Sequence, residues 1–278
     1  MALQTIRTCP VYVINLDRRP DRWRDFSKQP TLSYFSTIQR FSAVDGTKLD
    51  VQTDPHISLH TRQNILKKYR RSDYEINTLG AIGASLSHIG IWKAFLDSDA
   101  SHIVVFEDDT TVTAKDLQSI EKILPTQPAG WDMWLLGCHG WRFKGKPLGS
   151  TLQGWQSVQE FTGAHAYVLS RRGAEILVAD PFPIETHIEY YICGCSLFKG
   201  LKIVKHSDLR IGYAAEITEA DDSDTFDSRK SCPVCVVPDT MIEDGFYMSY
   251  WKMWRATVGL AALGAVAVGA FLGAKRRG

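Results

Sequence analysis

The segment that most constrains the fold is an apolar run of strand length that ends in three consecutive carboxylates. It reads Ser101-His102-Ile103-Val104-Val105-Phe106-Glu107-Asp108-Asp109. Ligands of α/β proteins bind in the crevice outside the carboxyl ends of the strands, where acidic side chains can hold a divalent metal beside a phosphate. The segment therefore predicts a buried strand and a metal site in an enzyme that acts on a phosphorylated substrate. A solvated turn is the alternative.

The order of apolar runs and turn signals predicts alternating strands and helices. Strands are predicted at 11–16, 39–44, 103–106, 134–136, 166–169 and 201–204, and helices at 17–27, 80–96, 171–178 and 187–198. Alternation of this kind is typical of a layered α/β fold. The near balance of 32 basic and 31 acidic residues argues against a general nucleic-acid-binding protein, and no nucleic-acid partner is expected.

The composition changes after the predicted α/β body. Six acidic residues between 216 and 227 indicate a solvated loop, and residues 256–274 then carry no charge. As a helix this uncharged stretch would be roughly 28 Å long, close to the hydrocarbon thickness of a bilayer. We therefore predict a catalytic domain at 1–227, a juxtamembrane connector at 228–255, a single transmembrane anchor at 256–274 and a basic tail at 275–278. A buried amphipathic helix is the alternative to the anchor.

Small residues recur at every fourth position of the predicted anchor, at Ala261, Ala265, Gly269 and Gly273. This spacing would let a second copy of the chain approach closely in the membrane, although an Ala/Gly-rich segment can produce it by chance. The N-terminus has no long apolar signal core and the sequence has no Asn-x-Ser/Thr site. We expect a membrane protein with a single C-terminal anchor and a body that is cytosolic rather than lumenal.

Several short motifs, taken together, resemble one enzyme family. They read VINLDRRPDR at 13–22, AVDG at 43–46, GAIGASLSH at 80–88 with Trp92, FEDD at 106–109 and TGAHAYVLS at 162–170. Their order and spacing are similar to those of glycosyltransferase family 25, the lipooligosaccharide and procollagen galactosyltransferase group. The resemblance covers roughly residues 11 to 210.

The resemblance implies a fold and a reaction. The fold is the GT-A type nucleotide-sugar-binding fold, a Rossmann-like mixed sheet flanked by helices. The reaction is transfer of a hexose, usually galactose, from a UDP-sugar to a hydroxyl acceptor with inversion. Mn²⁺ or Mg²⁺ assists in several members, and the acceptor would belong to a glycan, glycoprotein or glycolipid.

The three carboxylates are the candidate metal site. As a UDP leaving group departs, negative charge develops on its β-phosphate, and a divalent cation lowers that barrier as a Lewis acid. Alternate residues of an extended backbone point the same way, so Glu107 and Asp109 are the predicted metal ligands. Asp109 is the first choice, and Asp108 is expected either to hold the turn or to contact the donor.

Five further residues are predicted to bind the donor. Asn15, Arg18 and Arg22 follow the first strand, where a guanidinium group can donate two hydrogen bonds to a phosphate. Some of the arginines of this segment would instead form a solvated helix face. Asp45 is predicted to contact the donor or simply to cap its turn. The family resemblance favours contact of His88 with the donor or its pyrophosphate. A histidine at this position, considered without the resemblance, favours a structural role.

Inversion requires a general base on the face of the sugar opposite UDP. The segment 183–191 resembles a family pattern in which an acidic residue precedes an aromatic helix, and Glu189 occupies that position where Asp is usual. Glu189 is the predicted base, and Glu185 and Asp132 are the lower-ranked candidates. The alternative is that Glu189 is simply an exposed carboxylate on a helix. Two other functions remain open, a non-catalytic nucleotide-sugar or glycan-binding protein and a metal-dependent phosphohydrolase.

Overall fold

The computed structural model describes residues 3–68, 70–72 and 74–213. Apart from 70–72, these residues form one compact unit. The end of the predicted catalytic domain, the connector, the anchor and the basic tail lie outside the described residues.

Eight strands and six helices build the described unit. The strands are β1 (Val11–Asn15), β2 (Ile38–Ser42), β3 (His102–Glu107), β4 (Thr110–Thr111), β5 (Met133–Pro147), β6 (Trp155–Ser170), β7 (Ile203–His206) and β8 (Gly212–Tyr213). The helices are α1 (Pro20–Ser27), α2 (Leu59–Lys67), α3 (Leu79–Leu96), α4 (Ala114–Ile123), α5 (Arg171–Val178) and α6 (Ile188–Phe198).

In this part of the chain, six strands form a mixed sheet in the order β2-β1-β3-β6-β5-β7. The pairs β1–β2, β1–β3 and β5–β7 are parallel, whereas β6 runs antiparallel to both β3 and β5. A separate short pair joins β4 to β8. The prediction of a mixed α/β sheet flanked by helices is confirmed.

Alternate residues of the central strands enter two different cores. In β3, Val104 and Phe106 pack on one face of the sheet with Phe26 of α1 and Ile120 of α4. Its residues Ile103 and Val105 pack on the other face with α3, α5 and α6. Because both faces are covered, β3 reads as a continuous apolar run, as buried strands of α/β proteins do.

Helix α3 is long and apolar enough to cross a membrane by length and composition, and it is the one such helix among the described residues. More than half of it is buried inside the unit, including Trp92 and Phe95, which are fully buried. Its apolar character is therefore that of a core helix.

The start of α3 lies in direct backbone contact with the loop after β2. A Cβ at Gly83 would lie 2.9 Å from the backbone nitrogen of Gly46, and a Cβ at Gly46 would overlap the carbonyl oxygen of Leu79. The backbone N–H of Val44 donates to the Ser87 hydroxyl at 2.9 Å. Two separate motifs of the sequence, 43–46 and 80–88, thus pack on each other, and glycine is required because no side chain fits between them.

The predicted elements recur in the structure with shifted ends. The first helix begins at Pro20, which suits a first helical position, and the predicted strand at 134–136 is part of the much longer β5. Helices α2 and α4 were not predicted. The signal for α4 was present, because Thr113 and Asp116 form a capping box at its start.

Replacing Gly83 with Ala should lower the free energy of unfolding by about 1–3 kcal/mol, because the added methyl group meets backbone that cannot rotate away. Gly194→Ala in α6 is the matched control, since a Cβ there meets nothing within 4 Å. That change should be neutral or stabilise the protein by up to about 1 kcal/mol. Urea unfolding of both variants measures the difference, and equal stabilities would contradict the close approach.

Candidate active site

The candidate site lies at the carboxyl ends of β1 and β3. These strands are parallel neighbours with Ile14 opposite Glu107, so the backbone leaves both strands at the same edge of the sheet. The connection from β1 to β2 runs through α1 on one face, and the connection from β2 to β3 runs through α3 on the other. From β1 the chain continues to β2 on one side, and from β2 it crosses to β3 on the other side of β1. Open α/β sheets form their ligand crevice at such a point, here between β1 and β3.

Asn15 ties the acidic turn to the rest of this edge. Its amide nitrogen donates to Asp108 Oδ2 at 2.6 Å and to the carbonyl oxygen of Arg19 at 2.9 Å. Its amide oxygen accepts from Arg40 Nε at 2.7 Å. The side chain is buried and both of its polar atoms are engaged by the protein. Donor contact through Asn15 stays a prediction, whereas its observed contacts hold the turn.

Asp108 is held by the protein at both carboxylate oxygens. Arg22 Nη1 contacts Oδ1 at 3.1 Å, and Asn15 occupies Oδ2. Burial raises the pKa of Asp108, against the Asn15 hydrogen bond and the Arg22 charge, which lower it. Of the two roles considered for Asp108, these contacts match the one that fixes the turn.

Asp45 and Arg18 pair with each other beside the same edge. Asp45 Oδ1 accepts from both the backbone N–H and the hydroxyl of Thr47, at 3.0 and 2.7 Å, while Oδ2 lies 3.3 Å from Arg18 Nε. The Thr47 hydroxyl, and to a smaller extent Arg18, hold the pKa of Asp45 below its usual value. Asp45 therefore caps its turn, and Arg18, which is 43% exposed, lies at the rim of the crevice.

Behind Glu107 lies a row of buried hydrogen-bonding side chains from α3 and β6. His88 Nε2 is 3.4 Å from Glu107 Oε1, and His88 Nδ1 is 2.9 Å from the Tyr167 hydroxyl. Trp92 Nε1 donates to the same hydroxyl at 2.9 Å. His88 is 1% exposed, so in this structure its ring faces protein partners, and donor contact through it stays a prediction.

Glu107 and Asp109 present carboxylates that suit a cation. Partial burial opposes ionisation of Glu107, but the His88 hydrogen bond and the charges of nearby histidines hold its pKa below the ordinary value. Burial, and then the charge of Glu107, raise the pKa of Asp109 to about 7. Asp109 Oδ1 is buried without a hydrogen-bond partner. A positive charge between the two carboxylates would offset their mutual repulsion and would give the buried Asp109 oxygen a partner. The residues therefore fit a divalent cation.

No group of three or more His, Cys, Asp or Glu side chains that could hold a metal ion occurs among the described residues. A cation at Glu107 and Asp109 would therefore need further ligands besides the described side chains, for example from a bound substrate. Mg²⁺ is commonly bound in this way, by one or two carboxylates together with phosphate oxygens of the substrate.

Three aromatic side chains that the sequence did not single out lie beside Glu107. The ring of Tyr213 stacks on His139 with centroids 4.6 Å apart and packs at a tilt against His165 with centroids 5.0 Å apart. The charges of both histidines contribute to the lowered pKa of Glu107. His165 belongs to a quoted motif, but the signal for Tyr213 is tertiary, because β8 pairs with β4 directly after Asp109.

Glu189 reaches the same edge of the sheet from the first turn of α6. Its Oε1 accepts from the backbone N–H of Gly163 at 3.2 Å, in the part of β6 that extends beyond the end of β3. The two lower-ranked candidates lie elsewhere. Asp132 lies at the opposite end of the sheet, held by Arg172 and by the Lys202 backbone N–H, and Glu185 is exposed.

Two cavities of about 350 and 380 Å³ flank this centre. The first lies between α3 and α6 and is lined by Phe182, Ile188 and Tyr191 among others. The second lies between the start of α4 and the segment before β8, and Tyr213 is part of its wall. Glu107 and Asp109 line neither cavity.

Comparison with known proteins identifies relatives of this chain. It is 31% identical over 133 residues to the probable inactive glycosyltransferase 25 family member 3 of Rattus norvegicus, covering 46% of this chain and 22% of the relative. It is 28% identical over 130 residues to a glycosyltransferase 25 family member of Aedes aegypti, covering 46% and 21%. It is 25% identical over 179 residues to procollagen galactosyltransferase 2 of Homo sapiens, covering 62% and 28%.

The matched region spans about a fifth of the length of the first of these curated relatives. A family model described as glycosyltransferase family 25 (LPS biosynthesis protein) matches residues 8–191. This match covers well over half of the chain and includes every motif quoted from the sequence. The chain therefore belongs to glycosyltransferase family 25.

Proposed function

We propose that this protein is a GT-A type glycosyltransferase that moves a hexose, galactose in the first instance, from a UDP-sugar to a hydroxyl of a glycan, glycoprotein or glycolipid. Family membership supports glycosyl transfer. The name procollagen galactosyltransferase 2, carried by one relative, favours galactose. The observation that carries the proposal is the pair Glu107 and Asp109 at the crevice edge, with a buried Asp109 oxygen that has no protein partner.

In this proposal the crevice between β1 and β3 receives the donor diphosphate. A divalent cation, Mn²⁺ or Mg²⁺, held by Glu107 and Asp109 would neutralise the charge that develops on the leaving UDP. Arg18 at the rim would donate to the nucleotide or its phosphates, while Asn15 and Arg22 hold Asp108 and thereby the acidic turn.

The acceptor would enter from the side of α6. Glu189 would take the proton from the acceptor hydroxyl as that oxygen attacks the sugar carbon on the face opposite UDP. The hydrogen bond from the Gly163 backbone to Oε1 fixes the side chain and leaves its other oxygen for the acceptor. This contact supports Glu189 over the exposed Glu185 as the base.

A non-catalytic binding protein is the second candidate, because relatives from rat, mouse and human carry the word inactive in their names. The acidic pair argues against it. A buried carboxylate oxygen without a partner costs stability, and a binding protein with no metal gains nothing in return. A metal-dependent phosphohydrolase lacks support from a second cluster of His and Asp ligands in the described part of the chain.

Transfer is tested by incubating the protein with UDP-galactose, UDP-glucose or UDP-N-acetylglucosamine, with Mn²⁺ or with a chelator, and measuring UDP. We expect release from one donor that requires metal and rises with added acceptor. Asp109→Asn should abolish this release because the cation loses a charged ligand. The matched control is Asp25→Asn, whose carboxylate is 74% exposed and lies on the outer face of α1. Donor binding without release would support the non-catalytic alternative.

The base assignment is tested with Glu189→Gln, whose amide oxygen can still accept from Gly163. We expect kcat to fall about 100- to 10,000-fold, with the Kd for the donor unchanged, because only proton removal is lost. Steady-state kinetics and calorimetric donor binding measure the two quantities. Glu185→Gln should leave both unchanged. A Glu189→Gln enzyme with wild-type kcat would refute the assignment.

We also propose that residues 256–274 anchor the protein in a membrane by a single span, with the catalytic domain in the cytosol and with the small-residue face open to a second copy. Deleting all residues after Arg255 should move the protein from the membrane fraction to the soluble fraction. Deleting only 275–278 should not, because the apolar span remains. Fractionation followed by blotting measures both, and membrane retention of the longer deletion would contradict the anchor.

A further inference from the structure

We propose that Trp92, Tyr167 and His88 form a directed hydrogen-bond chain in which His88 accepts at Nδ1 and donates from its Nε2–H, and that this N–H positions Glu107. The first part concerns the protein alone. The second part, that Glu107 is thereby set to receive a divalent cation, rests on the proposed function. His88 acts here as a positioning residue, through Glu107.

The direction of the chain follows from what each group can donate. An indole nitrogen is a donor only, so the Tyr167 oxygen must accept from Trp92. Tyr167 then has one proton to place, and His88 Nδ1 at 2.9 Å is its neighbour. Tyr167 is fully buried, so a hydroxyl that accepted from both neighbours would leave its own proton unsatisfied, at a cost of about 1–3 kcal/mol.

The tautomer of His88 follows from that direction. If Nδ1 accepts from Tyr167, it carries no proton, and the ring N–H lies on Nε2. Nε2 faces Glu107 Oε1 at 3.4 Å, so the imidazole donates to the carboxylate. One oxygen of Glu107 is thereby fixed on the protein side, and the other is left for a ligand in the crevice.

The scaffold for this chain is rigid. His88 and Trp92 are four residues apart on α3 and therefore share one helix face, while Tyr167 is on β6, which pairs with β3. Trp92 and Tyr167 are fully buried, and His88 is 1% exposed. Glu107, the last residue of this hydrogen-bonded row, is 36% exposed, so it alone of the four reaches the crevice.

The tautomer is measured directly by NMR of the full-length protein labelled with ¹⁵N at histidine. The sequence has 8 histidines, and the His88 signals are assigned by their loss in His88→Gln. We expect a protonated Nε2 and an unprotonated Nδ1 for His88 in the metal-free protein. A proton on Nδ1, with or without one on Nε2, would overturn the chain.

The positioning role is tested with Tyr167→Phe, which removes the donor to His88. Tyr191→Phe is the matched control, because it also deletes a hydroxyl hydrogen bond, to the Leu177 carbonyl oxygen, but outside the acidic centre. We expect Mn²⁺ affinity in the presence of saturating UDP, measured by electron paramagnetic resonance, to fall about tenfold or more in Tyr167→Phe and to stay unchanged in Tyr191→Phe. Equal affinities would refute the positioning role.

These outcomes separate the inference from the proposed function. If the wild-type protein binds no Mn²⁺ in the presence of UDP while His88 shows the expected tautomer, the metal part of the proposed function fails and the hydrogen-bond chain stands. If Mn²⁺ binds and Nδ1 is protonated, the chain fails and the proposed function stands. The wild-type spectrum decides the tautomer even if Tyr167→Phe does not fold.

Discussion

The site depends on one buried hydrogen-bonding side chain, Asn15. Its amide joins four parts of the chain, namely the end of β1, the start of α1, Arg40 of β2 and the acidic turn after β3. Asn15 and Arg22 hold both carboxylate oxygens of Asp108, which fixes the turn at 108–109 between β3 and β4. The acidic turn is therefore held in place by a residue that does not need to touch a ligand.

Helix α3 carries the second constraint on the same site. Near its start, Gly83 allows the backbone to touch the loop that holds Asp45, and one turn later Ser87 accepts from that loop. The next residue, His88, faces Glu107. A single buried helix thus fixes two walls of the crevice, and a displacement of α3 would change both together.

The sequence predicted those features that are local. The apolar run of β3, the turn residues at Asp45 and the alternation of strands with helices are all read from neighbouring residues, and each is present in the structure. What each polar side chain binds was not predictable, because the partner of Asn15 is 93 residues away and that of His88 is 79 residues away. Such pairs depend on strand order, which the sequence pattern alone leaves open.

In the proposed function, Glu107 and Asp109 hold a divalent cation together with the diphosphate of a UDP-sugar. Crystals grown with Mn²⁺ and UDP test it most directly, through the anomalous scattering of manganese. We expect one strong anomalous peak between the carboxylates of Glu107 and Asp109, in contact with the diphosphate of UDP. A bound UDP with no metal at these carboxylates, or manganese bound only elsewhere on the protein, would contradict the account.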